Sequence, residues 1–267
     1  MSKVIKTEGL IEILSTYTRQ GRRYNRPYFV AAEFIPMSNT LERTQAMLAK
    51  HHRDGQRFAQ MMRESYPARY DEYFWQAWDK WMDPVIPESA VMMDLGSAIG
   101  LFITDLKRRY PDSLVYGVEC APYMLENMEP LPEGVEVLVE DLHDPHFPLE
   151  ENSVDGVYCS VVLHEMHQPV KALMEVNRVL KPGGRFYLTD WVKAPLKDYI
   201  TNQDDEVRVF SRDRPVDELD DLFIHFIEHN RFTREDMEYL LQMTDFKLIH
   251  SESTKEGRFA RFVVEKA

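Results

Sequence analysis

The chain is poor in several things at once. It has two cysteines in 267 residues, Cys120 and Cys159, far apart and in no metal or redox spacing. That excludes a disulfide framework and a C-x-x-C redox motif, and it leads us to expect reduced thiols in a cytoplasmic protein. Positive charge is in deficit: 32 Lys and Arg stand against 45 Asp and Glu, a net charge of −13. A surface that tracks nucleic-acid phosphates needs a basic stripe, so no nucleic-acid partner is expected. Long apolar runs are missing, so no membrane span is expected. The opening stretch "MSKVIKTEGLIEIL" is interrupted by Glu8 and Glu12 and does not read as a signal peptide. There is no internal repeat and no low-complexity tract. Glycine is sparse as well, at 11 residues, which gives weight to a stretch that holds two of them four positions apart: "VMMDLGSAIG", residues 91–100.

What is present is alternation. "AVMMDLG" is a short apolar run that reads as a strand. "GLFITDLKRRYP" follows as an amphipathic helix carrying Leu101, Phe102, Ile103 and Leu106. "SLVYGVE" (113–119), "GVEVLVED" (134–141), "SVDGVYCSVV" (153–162) and "RFYLTDW" (185–191) read as further strands. Between them lie "APYMLENMEP", with Pro at its first turn, and "PVKALMEVNRVLKPGG" (169–184), a helix that Pro182-Gly183-Gly184 should stop. Strand–helix alternation at this rhythm means a parallel sheet with right-handed crossovers. The end differs. "FTREDMEYLLQMT" is a helix opened by the Thr233/Asp236 pair, and "DFKLIHSE" with "RFARFVVEK" reads as an antiparallel hairpin. Residues 1–88 lack the alternation and look helical, with an aromatic-rich piece "PARYDEYFWQAWDKWMDP". A second irregular stretch, about 193–231, holds one further helix, "VDELDDLFIHFIEH", whose acidic run reads as a solvated face.

In an open parallel sheet, ligands bind beyond the carboxyl ends of the strands. Asp94, Gly96, Ser97, Ala98 and Gly100 fall there after the first strand, Glu119 and Cys120 after the second, and Asp141 and Leu142 after the third. Ser160 and "VLHEMH" follow the fourth strand, and Asp190 and Trp191 end the fifth. A carboxylate such as Glu119 can accept from both hydroxyls of a ribose. The turn fits the dinucleotide pattern G-x-G-x-x-G poorly, because the spacing is Gly96-x-Ala98-x-Gly100 with Asp94 ahead of it.

Taken in order, these segments resemble the class I S-adenosylmethionine-dependent methyltransferases. "VMMDLGSAIG" is similar to the family's D-x-G-x-G-x-G motif, and "YGVECAPYML" to its second motif. "VEDLHDPHFPLEENSVDGVYCSVVLHEMHQPVKALMEVNRVLKPGGRFYLTD" follows the family almost throughout. The resemblance covers residues 85–192 closely and the last helix and hairpin more loosely. It implies a Rossmann-like α/β fold: seven mostly parallel strands ending in an antiparallel hairpin. Residues 1–88 would form a helical extension or lid, residues 89–267 the cofactor-binding domain, and 193–231 an insertion over the acceptor site. It implies S-adenosylmethionine (SAM) as cofactor, S-adenosylhomocysteine as product, and a small-molecule methyl acceptor. By the same resemblance Gly96 and Gly100 flank the methionine part, with Asp94, Ser97 and Ala98 in the turn. Glu119, next to Cys120, takes the ribose; Asp141 and Leu142 meet the adenine; and Ser160 and His164 lie near the methyl. An imidazole placed there can act as a general base on the acceptor; the alternative for His164 is a ring packed on the loop and hydrogen-bonded to a backbone carbonyl. The motif's central glycine is Ala98 here, which is tolerable if that residue keeps φ below zero.

Other readings stay open at this level. A non-catalytic SAM-binding or partner-binding protein would keep the same motifs. An NAD-dependent oxidoreductase is disfavoured by the glycine spacing, and a protein methyltransferase is not separated from a small-molecule one. A homodimer is one oligomeric state open to the chain. The pairs His143/His146 and His164/His167 follow strands three and four, which this fold is not expected to bring side by side, so no metal site is expected from them. Trp75, Trp78 and Trp81 are expected in the core rather than in a lid, and Trp191 at the pocket.

Overall fold

The computed structural model describes residues 40–52, 54–203 and 206–267. The expectations for residues 1–39 lie outside these. Among the described residues three helices come first: α1 (Thr40–His52), α2 (Gly55–Arg69) and α3 (Glu72–Trp81). The alternating region follows as β1 (Val91–Leu95), α4 (Leu101–Arg109), β2 (Leu114–Val118), α5 (Pro122–Glu126), β3 (Val135–Leu138), β4 (Val154–Ser160), α6 (Val170–Val179) and β5 (Leu180–Trp191). Then come α7 (Leu196–Gln203), α8 (Glu206–Val209), α9 (Val216–His229), α10 (Arg234–Met243), β6 (Phe246–Thr254) and β7 (Phe259–Lys266).

The seven strands form one sheet in the order β3-β2-β1-β4-β5-β7-β6. β1 pairs in parallel with both β2 and β4, and only β7 runs antiparallel to its neighbours β5 and β6. The expected fold class is therefore the observed one. The chain winds outward from β1 to β3, then returns to place β4 on the other side of β1. That reversal opens a crevice beyond the carboxyl ends of β1 and β4, where a ligand has room.

Period-two alternation decides which helices cover which face. Met93, Cys159 and Leu188 point to one side, into a core shared with Leu173 and Val176 of α6 and Met237 and Leu241 of α10. Their neighbours Met92, Tyr158 and Tyr187 point to the other side, against Phe74 and Trp78 of α3 and Phe102, Ile103 and Leu106 of α4. The tryptophan-bearing segment thus belongs to the core. Trp78 is 2% exposed, and its indole N–H donates to Tyr110 Oη at 2.8 Å. Trp81 stacks on His250 of the edge strand β6.

Boundaries moved where local chemistry overrode the pattern. α6 ends at Val179, not at the Pro-Gly-Gly, and β5 begins at Leu180. A residue before proline is disfavoured in helix and Pro182 has no N–H to give, so the chain leaves the helix early. Leu180 (φ −67°, ψ 137°) then pairs with Val154. Thr233 and Asp236 do form the capping box. At the other end of α10 no glycine is present, and Asp245 takes the left-handed conformation itself, with φ 64°. α9 coincides with the expected helix, and Asp217, Asp220 and Asp221 are exposed on it. Among the described residues no helix is long and apolar enough to cross a membrane.

Trp78→Ala should lower stability by about 3–5 kcal/mol, the cost of emptying a large aromatic site in a core. Urea denaturation gives the value directly; a loss below about 1 kcal/mol would show that α3 is an accessory layer rather than part of the core.

Candidate active site

Between β1 and α4 the backbone turns left-handed at alternate residues: Gly96 (φ 73°), Ala98 (φ 47°) and Gly100 (φ 83°). Gly96 and Ser97 donate their N–H groups to Val118 O at 2.8 and 2.9 Å, which pins the turn to the end of β2. A side chain at 96 is excluded, because a Cβ would lie 2.3 Å from Val162. The condition under which alanine is tolerable at 98, a φ below zero, is not met. The turn needs the left-handed region at this position, and alanine takes it at a cost that glycine would avoid.

Glu119 sits at the centre of this arrangement. Its Oε2 accepts from Ala98 N at 3.0 Å, and its Oε1 accepts from Cys120 N and Ala121 N, both at 2.8 Å. Burial raises its pKa to about 7, with the three backbone donors pulling the other way. A carboxylate oxygen has two lone pairs, so Oε2 keeps one for a further donor. Asp94, 3% exposed, is driven well above the ordinary carboxylate range by burial and then by the charge of Glu119.

Asp141 is the opposite case. Burial pushes it up, but Oδ1 accepts from His143 N at 3.0 Å, Oδ2 accepts from Thr44 Oγ1 at 3.0 Å, and His143 Nδ1 lies 3.0 Å away; together they hold its pKa down. Thr44 belongs to α1, and the neighbouring Gln45 donates to Cys120 O at 2.9 Å, so α1 is tied across the ends of β2 and β3.

One cavity collects most of the expected site. Asp94, Gly96, Ser97, Ala98 and Glu119 line it, as do Cys120, Asp141, Leu142 and Ser160, with Phe58, Met62 and Tyr66 of α2 opposite. Gly100 shapes the turn without reaching the wall; its α-carbon faces Leu131 and Met128. Neither His164 nor Trp191 lines the cavity. Residues 163–165 form one 3-10 turn that takes His164 inward, 2% exposed, with Nδ1 2.6 Å from Asp190 Oδ1. Burial acts to lower its pKa, yet the Asp190 carboxylate outweighs burial and raises it. Trp191 packs on Phe259 and lies under the Arg258 guanidinium. The polar groups at this end of the cavity are instead Glu165 and His52. The sequence reading passed over both: Glu165 is the third letter of the "L-H-E" loop, and His52 closes α1. The loops after β3 and β4 also meet, against expectation. They are long enough to cross the strand ends, and His167 N donates to His143 Nε2 at 3.3 Å.

Ala98→Gly should relieve the strain of the left-handed alanine, about 1 kcal/mol, and raise the melting temperature. Calorimetric melting of the two proteins side by side decides this; a lower melting point for the glycine variant would mean that the Ala98 methyl, part of the cluster with Ile99 and Met124, outweighs the backbone strain.

Known proteins carry the same pattern. Residues 93–188 match the family model described as a methyltransferase domain. An uncharacterized methyltransferase of Mycobacterium tuberculosis is 34% identical over 139 residues, which are 48% of this chain and 54% of that protein. The chain spans about half or less of the length of the first curated relatives it matches. Among solved structures, a candidate methyltransferase of Haloferax volcanii in complex with the Trm112 methyltransferase activator superposes with TM-score 0.58 at 16% identity, over 79% of this chain and 97% of that one. Geranyl diphosphate C-methyltransferase of Streptomyces coelicolor A3(2), solved with Mg2+, geranyl diphosphate and S-adenosylhomocysteine, superposes with TM-score 0.51 at 15% identity, over 71% and 76%. With the strand order, the glycine turn and the matched domain in agreement, residues 93–188 form a methyltransferase domain similar to those of the class I SAM-dependent enzymes.

Proposed function

We propose that the chain binds SAM in the glycine-turn cavity and transfers its methyl group to a small-molecule acceptor. The observation that carries this is the convergence of the turn, Glu119 and Asp141 on one cavity roofed by α1 and α2. The residues fit the cofactor group by group. Oε2 of Glu119 has a lone pair left for a ribose hydroxyl, Asp141 is ionised and able to accept from an adenine amino group, and the absence of a Cβ at Gly96 keeps the turn close to Val162 and β4. When bound, SAM supplies an electrophilic methyl on a positively charged sulfur.

The chain's own task is then to position and to exclude water. Methyl transfer by displacement needs the two reacting atoms held in line about 3–3.5 Å apart, and little else. α1 and α2 close the cofactor cavity from above, with Thr44 fixing α1 to Asp141. A second cavity opens beside it, between α1, α7 and α9. Glu165 lines both cavities. Burial works to raise its pKa, but the His52 hydrogen bond and the nearby His164 outweigh this and keep it ionised. An acceptor entering by the second cavity would meet that carboxylate at the methyl end. A solved structure of similar fold, geranyl diphosphate C-methyltransferase, holds the small molecule geranyl diphosphate. A cytoplasmic setting is part of the same reading, since Cys120 and Cys159 are both buried free thiols.

Calorimetry with S-adenosylhomocysteine tests the cofactor half. A ribose hydroxyl donates to the ionised form of Glu119, so binding is linked to loss of its proton. Affinity should be level above pH 7 and fall below it, by up to about tenfold per pH unit. Glu119→Gln should flatten the profile and weaken binding by about 1.5–3 kcal/mol. No binding at any pH would sink the reading. Transfer of labelled methyl from SAM to members of a metabolite panel tests the other half; binding without transfer to any of them would favour a non-catalytic SAM-binding protein.

A further inference from the structure

Glu165 Oε1 is approached by three imidazoles. His52 Nε2 lies 3.4 Å away, and His51 Nε2 and His164 Nε2 each lie 3.9 Å away. In all three rings the other nitrogen is already engaged. His51 Nδ1 is 2.8 Å from Glu228 Oε2, His52 Nδ1 is bonded to Tyr123 Oη, and His164 Nδ1 is 2.6 Å from Asp190 Oδ1. Without a cation His52 Nε2–H donates to Glu165; with Nδ1 facing an oxygen partner, such a ring can give up the Nε2 proton and turn a lone pair to a cation, and an outer oxygen partner of this kind is what orients metal-ligating histidines. Hydrogen bonding alone accounts poorly for the cluster, because only His52 is within hydrogen-bond distance of Glu165 and the other two rings face the same oxygen at 3.9 Å. The Nε2 of His164 in fact has no hydrogen-bond partner among the described residues, although the side chain is 2% exposed.

We propose that His51 Nε2, His52 Nε2 and Glu165 Oε1 form a binding site for a divalent cation of the zinc class. Two imidazoles and a carboxylate are the protein ligands of one type of catalytic zinc site, in which a further position stays open. Bonds of about 2.0–2.1 Å in a tetrahedron put neighbouring ligand atoms about 3.3 Å apart. The His52–Glu165 separation of 3.4 Å is already there, and all three atoms lie within 4.8 Å of one another. Side-chain adjustments of about 1.5 Å or less would therefore close the site. The mixed nitrogen and oxygen set favours zinc, cobalt or nickel over magnesium and calcium, which prefer oxygen alone.

The placement gives the site a use. His52 and Glu165 line the cofactor cavity, while His51, Glu165 and Glu228 line the second one. The open coordination position therefore lies at the junction between them. A cation there would hold the oxygen, nitrogen or sulfur of an acceptor and favour its deprotonated form. Cation binding itself stands apart from the methyl-transfer reading; only this use of it rests on that reading.

The test uses the full chain, stripped with a chelator, then titrated with Co2+ alone and with Zn2+ alone, without SAM. One tightly bound equivalent is expected, with visible cobalt d–d absorption of tetrahedral or five-coordinate type and displacement by Zn2+. Glu165→Gln and His52→Ala should each weaken binding by more than about 100-fold, and Glu228→Gln, which loosens only the orientation of His51, by about 10–100-fold. His146→Ala, on an exposed loop, should leave it unchanged. Circular dichroism identifies any variant that fails to fold, and Glu165→Gln, nearly isosteric, keeps the test decisive if His52→Ala does. Failure of the parent chain to bind one equivalent overturns the proposal, as does a folded Glu165→Gln variant that binds as the parent does. Binding of S-adenosylhomocysteine is measured separately, so loss of one reading leaves the other standing.

Discussion

The carboxylate of Glu119 accepts three backbone N–H groups, one from the turn after β1 and two from the segment entering α5. Those donors lie at the carboxyl ends of two neighbouring strands, where the ladder has run out of partners. Without a buried acceptor there, the Ala98, Cys120 and Ala121 amides would be left unpaired in a site closed by α1 and α2, at about 1–3 kcal/mol each. With it, the left-handed turn is held against β2, and the cavity acquires a fixed floor. The rest of the site follows: Gly96 fits against Val162, and Cys120 O remains to anchor Gln45 and with it α1.

α1 is the second dependency. It touches the sheet through polar links rather than through a large apolar face: Thr44 to Asp141, Gln45 to Cys120 O, His51 to Glu228 and His52 to Tyr123. Those links reach the ends of β2 and β3 and also α9. α1 therefore joins parts of the chain that the sheet alone keeps separate. α3 behaves differently, burying Phe74 and Trp78 against Tyr158 and Tyr187. The helical segment before β1 thus divides into a roof that meets the site and a layer that belongs to the core.

The sheet could be read from the sequence because its signals are local. Apolar runs of strand length, the Thr233/Asp236 cap and the glycines at 96 and 100 each act within a few residues. Where two local signals competed, as at Leu180, the proline rule moved the boundary against the helical period. The floor of the cofactor cavity was legible for the same reason: Asp94, Glu119 and Asp141 are strand ends in a fold whose strand ends make the site. The roof was not. His51 and His52 are an unremarkable pair in sequence, and their meaning depends on α1 crossing to residues more than a hundred positions away, a tertiary fact with no periodic trace. His164 was assigned to the cavity on its position after β4, but the tight turn at 163–165 sends neighbouring side chains in different directions, and Glu165 is the one that reaches the wall.

The buried carboxylates at the strand ends sort into two groups, and the division bears on what the cavity accepts. Burying a carboxylate is costly unless it is paired or hydrogen-bonded. Asp141 and Glu165 are compensated within the protein, by His143 and Thr44 and by the imidazoles around α1, and both are held below their ordinary range. Asp94 and Glu119 go the other way: burial and then the charge of Glu119 push Asp94 well above the carboxylate range, and burial raises Glu119 to about 7 despite its three backbone donors. Asp141 and Glu165 line the same cavity as the raised pair. A ligand carrying positive charge and hydroxyl donors would restore what burial takes from them. On the proposed reading that ligand is SAM, whose sulfonium, ammonium and ribose diol supply both.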